Sequence, residues 1–580
     1  MEIAGMNNLL AEALNSRYRT DELKPLVAVI SSEVPGTKVE RIKTLVAALL
    51  QNTQAIFAKL SPLARHAVEE TTHTWDGHFH GQMFRAKYSA SPWSSSKDKQ
   101  GQQHVDKADL LTLFIIDNRI PGDLLRKLRD IVPHPPADEI RYVEAGPGKK
   151  CTVRETSGEA LANAAMVLQL AGDKKIRVGA KTGRATAASL TLIGDQLAHG
   201  DWYNDQEIGH MQAFAWPLLL QGGGLAKMAG TNLELTPGGI KARKNNLAAG
   251  IKAIWNKWEK STLIDEFSRV TAIKGQKSSG GRTMTSPAKR RPMINMLLKE
   301  LTPGKWITIE ELARLLQSRS AYSFSMTNYE WKLYFFDQQY GHIDYNDTWS
   351  LLQLRYLLLY LFEYCATLGL LDVAYTDPRG ARPEFHSCWG ADELEFLSHC
   401  DGLQYIRIND LGAYILGHKD AFAVARDTAA IYNFDGRDII VGDDEMSPGQ
   451  TLYLDKIGKR LEVERWRLSA ATLLHAISGG ESLADIQTTL VTASSAPLSQ
   501  ELEQLFREVE QRSTAFVEVG RTTLIECSSE MRNQVLTGKT ISRLCMPAGD
   551  RYLAIFPGKE KLFVSAIEAL GYSITVDPKM

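Results

Sequence analysis

The chain has 580 residues, of which 44% are apolar and 23% charged, and its 67 Lys plus Arg against 68 Asp plus Glu leave a net charge of -1. That length excludes a single hydrophobic core and implies about three to five domains. The balanced charge excludes nucleic-acid attraction by a global field, so binding of that kind has to come from local basic patches.

In chain order, residues 1–170 are predicted to be a mostly helical region. Ile42 to Leu50 and Ala55 to Leu60 carry apolar residues at helical period, and Ser61 before Pro62 is a cap followed by proline at the first helical position. Leu110 to Ile116 and Leu124 to Ile131 continue the pattern, with Pro121-Gly122 and Pro133, Pro135 and Pro136 as breaks. Ser91 to Gln103 is polar and aperiodic and reads as an exposed loop.

A first winged-helix domain is expected over 171–260. It opens with Lys174, Lys175, Arg177, Lys181 and Arg184, an acid-free run before a helix that Thr182 or Thr186 can cap. Cations beside free helix amides make a phosphate seat; a solvated loop flank is the competing reading. Gly179 to Arg184 is not a P-loop, because the glycine required four residues before a Gly-Lys-Thr triplet is absent. Phe214 to Gln221 reads as a helix stopped by Gly222-Gly223-Gly224, and Leu233 to Gly239 as a strand entering the next helix, where Lys241, Arg243 and Lys244 follow. Residues 261–292 read as a flexible linker: Lys274, Lys277, Arg282, Lys289, Arg290 and Arg291 sit in an acid-free, Gly/Ser/Thr-rich stretch able to lie along a phosphate backbone, or simply to tether.

A second winged-helix domain is expected over 293–428. Met293 to Leu316 supplies its leading helices, and Trp349 to Gly369 an apolar buried helix ended by glycine. The longest unbroken apolar run there, Tyr356 to Phe362, is far short of the ~20 residues a membrane span needs, so no transmembrane segment is expected. Leu370 to Tyr375 and Tyr405 to Ile408 read as strands joined by a long loop, with Asn409 capping the helix from Asp410. Leu233 to Gly239 and Ile406 to Gly412 share one pattern, apolar, any, apolar, Thr or Asn, two residues, Gly. Identical internal spacing argues for a repeated unit.

From 429 the texture becomes α+β: a hairpin about Asp435-Gly436, helices at 469–478, 482–490 and 500–512, strands at 515–519 and 522–527, a helix at 529–537, a strand at 552–556, a helix at 559–570 and a strand at 573–576. Leu468 to Leu490, Ala496 to Leu502, Glu508 to Arg512 and Ala569 to Tyr572 resemble the N-terminal accessory domain of XPB-type superfamily-two helicases. Lys181 to Leu190 and Gly200 to Tyr203 are similar to segments of bacterial proteins in which that domain follows a winged-helix array with no motor attached. The resemblance implies DNA engagement beside a helicase or nuclease partner, in DNA repair or antiviral defence, and carries over no catalytic residues. Gly442 to Met446 is acidic but follows no phosphate loop, so nucleotide hydrolysis is not expected.

Other chemistry has weaker signatures. His73, His78 and His80, and His386, Cys388, His399 and Cys400, are metal-ligand types without the usual paired spacing. Glu139, Glu144, Lys149 and Lys150 are the types a nuclease uses, but nothing in their spacing singles them out. Six cysteines, Cys151, Cys365, Cys388, Cys400, Cys527 and Cys545, without a Cys-x-x-Cys pair or a leading signal segment, predict a reducing cytoplasm. The expectation is a helix-rich α+β protein of tandem winged helices and a small accessory-like domain, a DNA-binding non-enzyme without cofactor or metal; a protein-docking scaffold of a helicase, methyltransferase or nuclease complex is the alternative.

Overall fold

In a computed structural model the chain is α+β. Residues 9–97, 103–105, 109–244, 246–278, 281–343, 347–422, 432–441, 448–478, 481–494, 496–515 and 522–575 are described. The first helices start where their caps dictate. Thr37 and Glu40 bond each other reciprocally ahead of helix Lys38–Gln51, and Ser61 accepts from Ala64 N at 3.2 Å ahead of Pro62–His73. With the helices around them they enclose a core that includes Leu14, Leu45, Leu49, Val68, Phe84 and Phe114. The loop expected over 91–103 instead contains strand Ser95–Lys97, paired with Gln103–Val105; three-residue polar strands leave no apolar alternation to read.

Beyond residue 150 one order of elements occurs twice. Helix Ser157–Gly172, an extended segment at 176–178, helices Ala187–Gly194 and Gln212–Gly222, strands Ala226–Ala229 and Asn232–Leu235, and helix Pro237–Lys244 form the first copy. Helix Pro287–Glu300, strand Trp306–Thr308, helix Ile309–Ser318, a long helix at 349–366, strands Leu371–Tyr375 and Leu403–Ile408, and helix Asp410–Leu416 form the second. In each, the last strand lies between the other two: Asn232 bridges Arg177 while its strand pairs with Ala226–Ala229, and Leu403–Ile408 pairs with both Trp306–Thr308 and Leu371–Tyr375. Trp306–Thr308 was expected within helices; its β-branched pair, Ile307 and Thr308, sits instead in the sheet.

The shared pattern at Gly239 and Gly412 has one physical cause. Thr236 accepts from Gly239 N at 3.2 Å and donates its own amide to Leu225 O; Asn409 accepts from Gly412 N at 2.9 Å and donates its amide to Leu370 O. Each glycine thereby lies so close to the start of the preceding strand that a Cβ would fall 2.0 Å from Leu225 O in one copy and 2.0 Å from Leu370 O in the other.

The divisions expected at 170, 260 and 292 are overridden by packing. One core runs from Ala160 and Val167 through Trp216 and Trp258 to Tyr360 and Leu411, and the sheet of the second copy gains an edge strand, Thr152–Arg154, from the region expected to end at 170. Contacts separate instead near 428: one unit is Met1–Thr428 with Glu445–Tyr453, the other Ala429–Asp444 with Leu454–Met580. In the second unit hairpin Tyr432–Asp435 and Asp438–Val441 turns at Gly436 and extends through Arg465–Leu468 to Gly458–Glu462. Asp438 receives both Arg465 and Arg467, at 2.6 Å each. Helices Ala470–Ser478, Leu483–Thr492 and Gln500–Ser513 follow, then a sheet ordered Leu524–Glu526, Tyr552–Ile555, Cys545–Pro547 with helices Ser529–Thr537 and Glu560–Ala569. Most of the strand expected at 515–519 lies outside the described residues, and 573–575 is not a strand. Among the described residues no helix is long and apolar enough to cross a membrane.

Gly412→Ala and Gly239→Ala are each expected to destabilise by about 1–3 kcal/mol, because backbone must move to admit the methyl group. Gly158→Ala, where a Cβ meets nothing within 4 Å, is expected to leave stability unchanged or raise it; urea unfolding of the three variants checks this.

Candidate nucleic-acid interface and the buried charges behind it

The basic run at 174–184 forms an edge of the first copy. Lys175, Arg177 and Lys181 are exposed, and Lys174, held at φ 58°, pairs with Glu234 at 2.7 Å. The turn is closed by Gly179 N donating to Arg184 O at 2.9 Å and tied down by Gln221 Nε2 on Gly183 O at 2.8 Å. Thr186, not Thr182, caps the following helix by accepting from Ser189 N. Arg184 turns inward, 5.8 Å from the Phe214 ring and donating to Ser268 Oγ at 3.2 Å. On the adjoining hairpin Lys227 is exposed, a cation the sequence reading passed over because it stands alone among apolar neighbours. Lys241 is exposed on the next helix, while Arg243 is half-buried and reaches Gln169 Oε1 at 3.1 Å. The side chains of Lys244 and Arg282 lie outside the described residues.

The stretch expected to be a flexible linker instead ends inside the protein. Arg290 and Arg291 are fully buried in helix Pro287–Glu300. Arg291 sits 2.6 Å from Glu266, bonds the carbonyls of Trp258, Ser261 and Ile264, and stacks over the Trp258 ring at 4.5 Å. Burial works against its charge, but Glu266 outweighs burial and the guanidinium pKa is raised. Arg290 pairs with Asp265 at 2.6 Å and lies over Tyr356 at 4.5 Å. Neither can reach a phosphate. Upstream, Lys274 bridges to Tyr334, and Lys277–Ser278 pairs with Gly281–Arg282; Lys274, Lys277 and Lys289 stay exposed.

The long helix at 349–366 explains this burial. It is wound wide at both ends, Trp349–Leu354 and Tyr360–Ala366, around the α-turns Arg355–Leu359, and every residue from Leu354 to Ala366 is buried. It packs against helix Gln212–Gly222, itself buried over Gln212 to Leu220, and Trp258 stacks on Tyr364 at 5.3 Å. Its own charges are matched inside. Arg355 Nε lies 3.1 Å from Asp401 Oδ1, and Glu363 takes Arg269 at 3.0 Å and His399 Nε2 at 2.5 Å. Burial pushes the Asp401 carboxyl up against the opposing pull of Arg355.

Among the described residues Glu363, His399 and Cys400 are the one group of metal-ligand types brought together, with donor atoms within 4.8 Å of one another. Arg269 Nε and His399 Nε2 both bond Glu363 Oε2, at 3.2 and 2.5 Å, and burial pushes the Cys400 thiol well above its ordinary pKa, so the donor set suits an ion-paired centre better than a cation. Of the candidate ligands named from sequence, only His399 and Cys400 come together among the described residues: His386 bonds Leu394 O, and His73 bonds Val132 O with its ring 4.1 Å from that of His134. Glu139, Glu144, Lys149 and Lys150 lie exposed along an irregular stretch, and 442–446 falls outside the described residues. No family model matches this chain, and no curated protein matches it.

Arg291→Ala is expected to cost about 3–5 kcal/mol, since it strands Glu266 as an uncompensated buried charge. Lys289→Glu, two residues away in the same helix and exposed, is expected to stay within ±0.5 kcal/mol; denaturant midpoints of the two variants decide.

Proposed function

We propose that residues 157–244 and 287–416 are two winged helices fused back to back, and that the chain is a non-catalytic DNA-binding protein whose chemistry is supplied by a helicase or nuclease partner. The order helix, strand, helix, helix, strand, strand, with the last strand central, supports the fold in both copies. In an isolated unit of this kind the third helix enters the major groove. Here both third helices are spent on each other, at Gln212 to Leu220 and Leu354 to Ala366. Base reading through them is therefore closed, and contact falls to the backbone.

The observation that carries the reading is the exposed edge of Lys175, Arg177 and Lys181, with Lys227 on the hairpin alongside, next to the free amides at the start of helix Ala187–Gly194. Cations there neutralise phosphates without regard to sequence. The α+β unit from 429 onward is the accessory-like domain of this proposal, a docking platform for the partner. A scaffold with little DNA affinity is the second reading, and the burial of both third helices favours it.

Polarization titration against duplex and single-stranded oligonucleotides at several salt concentrations tests this. Changing Lys175, Arg177 and Lys181 to Glu together is expected to weaken binding to all sequences alike and to lower the log–log salt slope by roughly one per cation removed. A wild-type protein that binds no duplex at low salt would leave only the scaffold.

A further inference from the structure

This chain holds buried and half-buried guanidinium groups by one recurrent device, a carboxylate and an aromatic face together. Arg291 meets Glu266 and Trp258, Arg290 meets Asp265 and Tyr356, Arg269 meets Glu363 and Phe214, and Arg407 meets Asp372 and Trp306, with ring distances from 4.0 to 4.8 Å. The same two ingredients occur on the surface. Phe336 is 81% exposed, Tyr340 64% and Trp389 52%. Trp389 lies 6.2 Å from Phe336 at 63° and 5.6 Å from Tyr340 at 56°, so the two loop rings flank the indole at steep angles.

The backbone is built to keep them there. Phe335 N donates to Gly341 O and Gly341 N to Asp337 O, closing a turn in which a Cβ on Gly341 would fall 2.2 Å from Phe335 O. Phe336 is held at φ 37°, a left-handed conformation costly for an aromatic residue, while its side chain points to solvent. Carboxylates adjoin the rings in sequence: Asp337 follows Phe336, and Asp392 and Glu393 occupy the turn after Trp389. Glu384 and Glu395 in the same excursion are taken by Arg355 and Arg379, whereas Asp392 and Glu393 are exposed and pair with no cation among the described residues. Lys332 lies over Tyr329 at 4.4 Å, but no lysine or arginine of the described residues lies over Phe336, Tyr340 or Trp389.

We propose that Phe336, Tyr340 and Trp389 form a seat for an arginine or lysine side chain on a basic segment of a protein partner, with Asp392 and Glu393 setting the sign of that partner. Aromatic faces attract cations through the ring quadrupole. The acids disfavour a polyanion at the same place, which separates this surface from the phosphate-binding edge at Lys175, Arg177 and Lys181; the two stand or fall separately.

The test uses the full-length protein and two fluorescent peptides, one alternating Arg and Gly, the other Glu and Gly, followed by polarization at low salt. The Arg peptide is expected to bind and the Glu peptide not. Trp389→Ala and, independently, Phe336→Ala are each expected to weaken the Arg peptide roughly tenfold with an unchanged melting temperature, since both side chains are more than half exposed. Asp392→Asn with Glu393→Gln is expected to weaken it further, and glutamate at Lys175, Arg177 and Lys181 to leave it no weaker. Equal binding of both peptides, or no loss in either aromatic variant, would overturn the proposal. So would Trp389→Ala acting instead on single-stranded DNA affinity, or on self-association in sedimentation.

Discussion

A helix buried on all sides must settle its polar groups inside the protein, and the arrangement around residues 349–366 follows from that. Arg355 and Glu363 have no access to water. Transfer of an unpaired charge from water into such a site costs several kcal/mol, so Asp401, Arg269 and His399 have to be delivered to them from other segments. Asp401 and His399 come from the excursion between strands Leu371–Tyr375 and Leu403–Ile408, which is thereby fastened to the core. Arg269 comes from the segment between the two copies. Pairing of the helix charges thus ties together parts of the chain that would otherwise be separate domains.

The same requirement converts a presumed tether into structure. Asp265 and Glu266 stand 25 residues before Arg290 and Arg291, and each acid meets one arginine. Once buried, the pairs leave the intervening segment little freedom to act as a linker, and they remove two cations from any surface role. Internal packing also buries Gln212 to Leu220 and Leu354 to Ala366. What faces outward is then a basic edge at one place and an aromatic, acidic surface at another.

Local features were legible in the sequence because their causes are local. Ser61, Thr186 and Asn409 cap the helices that follow them, Gly436 turns its hairpin, and the pattern ending at Gly239 and Gly412 marks the same close approach of backbone in two places. The exposed cations at 175, 177 and 181 were also legible, since a run without apolar residues has no reason to be buried. Arg290 and Arg291 defeated that logic: composition places arginines outside, and only the arrival of Glu266 and Trp258 from elsewhere in the chain makes the interior tolerable for them.

The sequence by itself determined the α+β class and the repeated entry of strand into helix, because periodicity, caps and glycine sterics act over a few residues. Tertiary structure alone decided that the two copies share one core, that Thr152–Arg154 joins the second sheet, and which cations face water. Those outcomes depend on pairings between residues tens to hundreds of positions apart, for which no local pattern of side chains carries a signal.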